Sequence, residues 1–299
     1  MNNENRANLG VFYAIAAYGM WGVAPIYFKQ LTQIPAQDIL IHRIVWAAVL
    51  LLGMIFLLKQ RPMVQLALKT KQTVVTLIVA GALLALNWFI FIWAVNHDYL
   101  LETSLGYFIS PLVNVAFGAL FLGERFRRLQ ILAVAIAIIG VSYSLITYGK
   151  LPWVALGLAI TFSVYGLLRK KATVDALPGL FIETVLLLPF VMLYLLFISN
   201  TVGDMGQLNT ATNLLLLAAG AVSVAPLLCF TAAARRLRLS TLGFFQYIGP
   251  SIMFVLATFI YDEPLSHDRF ITFIFVWTAL IIFSLDSFLS YKTQRNRIP

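Results

Sequence analysis

The chain has 299 residues, of which 61% are hydrophobic and only 11% charged. A soluble domain carries charge on roughly a quarter of its residues, so too few polar side chains are present to cover a water-facing surface, and an ordinary soluble enzyme or binding module is excluded. The formal charge of +9 does not point to nucleic acid, because the basic residues sit in short turns between apolar runs, where membrane topology accounts for them.

Apolar runs of about 20 residues recur along the chain, the length that crosses a ~30 Å hydrocarbon layer at ~1.5 Å per residue. Ten spans are predicted, at 9–28, 37–58, 72–94, 100–122, 129–147, 152–168, 178–199, 213–234, 240–261 and 269–290. Backbone groups in lipid must be satisfied within the element, and the runs lack the alternation of barrel strands, so the spans are expected to be helices. The polar first residues followed by a run from Leu9 look like the start of a signal peptide. That run is as long as a span and lacks a clear small-x-small cleavage site, so it is read as a retained first helix. Cys229 is the only cysteine and lies inside an apolar run, so no disulfide within the chain and no cysteine zinc motif can form.

Lysine and arginine fix an orientation. Seventeen of them fall in the N-terminus, the even-numbered loops and the C-terminus, with Arg169, Lys170 and Lys171 assigned to loop six. Only Lys29, Lys150 and Arg269 fall on the other side, and Arg43 lies within span two. This asymmetry predicts cytoplasmic N- and C-termini.

The halves share a weak pattern. Span four reads Leu105-Gly106-Tyr107-Phe108, then Pro111, with Glu124 thirteen residues after the proline. Span nine reads Leu242-Gly243-Phe244-Phe245, then Pro250, with Glu263 at the same offset. Two five-span units, 1–147 and 148–299, are therefore expected. An odd number of spans per unit requires inverted topology, as in many secondary transporters.

Several segments carry a resemblance. They are Trp21-Gly22, His42 through Trp46 (HRIVW), Asn87-Trp88, Glu102 through Pro111 (ETSLGYFISP), Leu122-Gly123-Glu124, Tyr165 through Lys170 (YGLLRK), Glu183-Thr184 and Ser240 through Pro250 (STLGFFQYIGP). With these, the chain resembles the drug/metabolite transporter superfamily, and within it the RarD-like branch of EamA-type permeases, over nearly its whole length. Ser110 departs from the asparagine expected there. The resemblance implies an all-α integral membrane protein of ten helices in two EamA-like repeats. It also implies a bacterial plasma-membrane location and the movement, usually export, of small metabolites or drugs.

Ionisable side chains within a span are costly and by default face the bundle interior or water. His42 and Arg43 lie in the outer part of span two, and Glu183 lies at a mirrored depth in span seven, too far away for a simple ion pair with Arg43. His42 and Arg43 are expected to serve the outer end of a central cavity, with Arg43 holding a carboxylate or phosphate through paired donors. Glu183 is expected at the inner end, binding an amine or a coupling proton. The competing reading for all three is a structural ion pair or hydrogen bond. Trp21, Trp46, Asn87, Trp88, Tyr107, Gln246 and Tyr247 are further cavity candidates, against helix packing as the alternative. Pro111 and Pro250 are candidate kinks. Glu124 is expected to pair with Arg125, Arg127 or Arg128.

Rival functions lack their residues. No HExxH, GxSxG or P-loop is present, and His42, His97 and His267 belong to separate regions, so no enzyme, metal site or cofactor is expected. A channel would commonly need a filter loop or an oligomeric ring. The expected partners are a small-molecule substrate and the lipid bilayer. Coupling stays open between proton antiport and facilitated diffusion, and ten spans suffice for a monomeric pathway.

Overall fold

A computed structural model describes residues 3–97, 99–197, 209–260 and 267–295. Among them every regular element is helical: α1 (Asn3–Phe28), α2 (Ala36–Leu57), α3 (Arg61–Lys69), α4 (Lys71–Asn96), α5 (Leu100–Leu122), α6 (Arg128–Tyr148), α7 (Trp153–Lys171), α8 (Ala176–Phe197), α9 (Thr210–Ala234), α10 (Leu239–Gln246), α11 (Ile248–Phe259) and α12 (His267–Arg295). Within the described residues nine stretches are long and apolar enough to cross a membrane, and α12 contributes a shorter apolar helix, Phe270–Asp286.

Three local features depart from the sequence expectation. The second loop holds the short amphipathic helix α3, whose Ala67 is buried in a small cluster with Leu77, Val174 and Ile182. Span nine is two helices. Pro250 has no N–H to offer the carbonyl four residues back, at Gln246, and α10 ends there. Pro111, by contrast, is accommodated inside the continuous helix α5. Finally, α1 begins at Asn3 rather than near Leu9. Glu263 lies outside the described residues.

The lipid-facing side is read from residues such as Leu57, Leu120, Ile146, Phe190 and Phe259, all exposed. Small residues face inward: Ala14, Ala17, Ala80, Ala133, Ala137 and Ala233 are fully buried, which lets helices approach closely where lipid supplies no hydrophobic drive for association. The principal pairings are α6 with α12, α5 with α7 and α10, α1 with α9 and α11, α2 with α8 and α9, and α4 with α7 and α8. Gly123, with φ 62°, ends α5, and the Glu124 N–H returns to the Gly118 carbonyl at 2.9 Å, the usual way a left-handed glycine satisfies a helix end.

Candidate functional site

Helices α2, α4, α8 and α9 enclose a small central pocket, lined among others by Ile44, Trp88, Glu183, Leu187, Ser223 and Leu227. Its free volume, about 10 Å³, is room for roughly one water molecule, so a larger ligand needs the walls to part. Two glycines bring the walls together. A Cβ on Gly220 would collide with the backbone of Trp46, and one on Gly81 would sit 3.5 Å from the Glu183 carbonyl oxygen.

Arg43 stands at one end. Its Nε donates to the Ser223 hydroxyl at 2.9 Å. Its guanidinium lies 5.1 Å from the Trp88 ring centroid and 5.6 Å from that of Phe28. Aromatic faces within about 6 Å of a guanidinium attract it electrostatically. Tyr27 and Tyr107 lie within electrostatic reach of it. Among the described residues no carboxylate forms an ion pair with Arg43, and the terminal nitrogens Nη1 and Nη2 make no hydrogen bond to protein.

Glu183 stands at the other end and is already engaged. Its Oε1 lies 3.1 Å from Arg169 Nη1, with both side chains enclosed. Its Oε2 accepts from the Tyr165 hydroxyl at 3.3 Å. Arg169 Nη2 also reaches the carbonyls of Ala176 and Asp175, at 3.3 and 3.5 Å. The guanidinium lies against Gly179, where any Cβ would overlap it. Arg169 is thus a buried partner of Glu183 in the last turn of α7, not the loop cation that the charge count assigned.

The remaining candidates are dispersed. Trp46 Nε1 donates to His42 Nδ1 at 3.2 Å, so that ring nitrogen is an acceptor and the imidazole is neutral. Trp21 packs in an aromatic cluster, 5.7 Å from Phe162 and 5.9 Å from Phe230. Asn87 Nδ2 ties α4 to α7 through the Leu158 carbonyl at 2.9 Å and Thr161 Oγ1 at 2.8 Å. Gln246 joins α10 to α5: its Oε1 accepts from Asn114 Nδ2 and its Nε2 donates to Ser110 Oγ, both at 2.9 Å. Tyr247 is fully buried and its hydroxyl donates to the Phe108 carbonyl at 3.2 Å, in the turn that contains Pro111. Of the named set, Trp88 and Glu183 line the pocket, Arg43 adjoins it through Ser223 and Trp88, and Tyr107 is partly exposed near Arg43.

On the Arg169 side the bundle is closed by polar ties. Glu124 accepts from the Leu239 and Ser240 N–H groups at 2.6 and 3.0 Å, and from the Ser240 hydroxyl at 2.5 Å. It therefore caps α10 across the bundle, with Arg238 at 3.8 Å, rather than pairing with its neighbouring arginines. Arg127 instead pairs with Asp286 at 2.6 Å. Lys170 donates to the carbonyls of Ala234 and Leu237, and Arg235 pairs with Asp175.

Sequence reasoning missed Arg169, Tyr165, Ser223 and Phe28. Arg169 heads an Arg-Lys-Lys run at the end of an apolar stretch, which reads as a membrane anchor. Its one available signal was Gly179, the small residue beneath it. Ser223 is a lone hydroxyl in an apolar span and gives no signal without its partner.

A bundle whose outer faces are apolar and whose polar side chains turn toward one another defines a polytopic membrane protein, and its relatives narrow the class to transporters. Residues 8–146 match the EamA-like transporter family. The chain is 50% identical over 284 residues to Protein RarD of Escherichia coli, covering 95% of this chain and 96% of that one. It is 51% identical over 295 residues to an uncharacterized transporter of Vibrio cholerae, covering 98% of each. It is 30% identical to the chloramphenicol-sensitive protein RarD of Pseudomonas aeruginosa, over 96% of this chain and 97% of that one. A crystal structure only 17% identical superposes with a TM-score of 0.70 over 94% of this chain and 98% of the other, which establishes a shared fold. The chain belongs to the EamA-type permeases of the drug/metabolite transporter superfamily, in the RarD-like branch, and is a multi-pass protein of the bacterial inner membrane.

Proposed function

We propose that the chain is a secondary exporter that carries a small organic molecule through the central pocket by alternating access, using ten helices in two inverted five-helix repeats with cytoplasmic ends. One observation carries this reading. The pocket lies among α2, α4, α8 and α9, which are spans two, three, seven and eight, the set that exchange of the two halves maps onto itself. Arg43 comes seven residues after the start of α2, and Glu183 seven residues after the start of α8. Each is therefore about 10 Å into its helix at ~1.5 Å per residue, from opposite sides.

The packing supports the same exchange. Spans one with nine and six with four form one related couple, as do one with eight and six with three, and two with eight and seven with three. Gly81 and Gly220 are separated by the offset that relates Pro111 to Pro250, and each admits a neighbour from the other half. A substrate site on such a pseudo-axis can be exposed to either side by rocking one half against the other. The Arg169–Glu183 pair closes the cytoplasmic end, and its separation opens that end. No catalytic step is assigned to the chain.

The test is flux into proteoliposomes holding wild type, Arg43→Ala or Glu183→Gln at equal insertion, with and without an imposed pH gradient. Both variants are expected to lose at least about tenfold in rate, equivalent to about 1.4 kcal/mol in the barrier. Wild-type flux by both overturns the pocket as the pathway. A gradient-dependent rate selects proton antiport over facilitated diffusion. Reporter fusions at the C-terminus test the orientation: activity of a periplasm-only reporter there refutes it.

A further inference from the structure

We infer that the pocket selects an amphipathic organic monoanion, a carboxylate on an apolar body, and not a zwitterion, amine or phosphate ester. This rests on the transport reading of the same pocket and adds the substrate class.

The charges at the pocket are unequally committed. Arg43 directs its Nε to a neutral partner, Ser223 Oγ, and among the described residues Nη1 and Nη2 find no protein acceptor. A guanidinium presents its donors as a rigid planar fork that matches a carboxylate with two parallel bonds. Here the guanidinium lies near the Phe28 and Trp88 rings and is tethered through Nε to Ser223, so part of its freedom is already spent before a ligand binds. At the far end, the charge of Glu183 is offset by Arg169, whose Nη1 lies 3.1 Å from Oε1 as an ion pair without a hydrogen bond, and Oε2 accepts from Tyr165. An ammonium entering there would compete with a buried guanidinium for the same carboxylate, and among the described residues no second carboxylate lines the pocket. A zwitterion would therefore leave its amine desolvated and unpaired, a cost of several kcal/mol.

A dianion fits no better. His42, the next residue to Arg43, accepts from Trp46 at Nδ1 and so adds no positive charge. A single guanidinium facing a phosphate monoester would leave about one negative charge uncompensated. Between the two charged ends the walls are Ile44, Leu187, Leu227 and the Trp88 ring, a surface for an aliphatic or aromatic body. The geometry thus supplies one anion clamp, one apolar wall and no amine site.

Four matched probes decide this: 3-phenylpropionate, phenylalanine, 3-phenylpropylamine and 3-phenylpropanamide. Binding to the full chain in detergent is followed by thermal stabilisation and tryptophan fluorescence, and flux is followed in proteoliposomes. The acid is expected to bind at least about tenfold more tightly than the other three, and Arg43→Gln is expected to reduce it to the level of the amide. Should Arg43→Gln fail to fold, Ser223→Ala, which frees the clamp from its positioning contact, is expected to weaken the acid several-fold while leaving the amide unchanged. Equal or tighter binding of phenylalanine or the amine overturns the inference, as does unchanged acid binding by the variant that folds, or binding of none of the four. Flux of phenylalanine or the amine without flux of the acid overturns the class and leaves the transport reading standing. Absence of flux for these probes and for a mixed metabolite extract overturns both.

Discussion

Arg169 Nη1 lies 3.1 Å from Glu183 Oε1, and neither side chain reaches the surface: they are 0% and 1% exposed. The pair joins the end of α7 to α8, and its Glu183 lines the pocket. Its geometry is incomplete, since Arg169 Nε and Nη1 and Glu183 Oε1 make no hydrogen bond among the described residues. A buried pair contributes modest net stability when intact, but removing one partner strands the other charge. Glu183→Gln is therefore expected to destabilise the chain by about 3–5 kcal/mol, seen as a lower unfolding temperature in detergent. The double replacement Arg169→Met with Glu183→Met is expected to recover most of that loss. Equal damage from the single and double variants contradicts this account.

The two pocket glycines respond differently. A methyl on Gly220 meets the Trp46 backbone, whereas one on Gly81 makes an ordinary contact at 3.5 Å. Gly220→Ala is expected to cost about 1–3 kcal/mol through overpacking. Gly81→Ala is expected to be neutral or to stabilise by up to about 1 kcal/mol, as alanine is the better helix former. Thermal unfolding of the two variants side by side checks the contrast.

Glu124 holds the start of α10, an eight-residue helix, through two backbone N–H groups and the Ser240 hydroxyl. Loss of a capping acceptor costs about 0.5–2 kcal/mol, so Glu124→Ala is expected to fall in that range and Glu124→Gln, which keeps one acceptor oxygen, to lose less. Hydrogen exchange at Leu239 and Ser240 reads the cap directly and is expected to speed up in Glu124→Ala.

Asn114 and Gln246 bond between α5 and α10 at 2.9 Å, both side chains buried. Interhelical hydrogen bonds in membranes couple by about 0.6 kcal/mol on average, so a double-mutant cycle with Asn114→Ala and Gln246→Ala is expected to return a positive coupling of that order. A coupling of zero removes the contact from the energetics of the interface.

Membrane character was written in charge scarcity and run length, because a ~30 Å apolar layer imposes a length on each helix that any reader of hydropathy can count. Positions along those helices were legible too: Arg43 and Glu183 stood out as ions within spans, and the pocket adjoins one and is lined by the other. Their partners were not. The Arg169 that completes Glu183 looked like one more residue of a cytoplasmic basic run, and Glu124 looked destined for the arginines beside it. Both errors have one origin: a local charge pattern does not reveal which helix lies across the bundle.

By itself the sequence determined an α-helical membrane protein of this family, since composition, span length and the HRIVW and STLGFFQYIGP segments need no partner to be read. Only the tertiary structure decided that Gln246, Tyr247 and Asn87 join helices, that Pro250 breaks a helix while Pro111 does not, and that Glu183 faces a buried arginine while Arg43, among the described residues, has no carboxylate partner. Periodicity and hydropathy are properties of one helix in its solvent. The commitment of a charge depends on atoms that the fold brings within about 3 Å from distant parts of the chain.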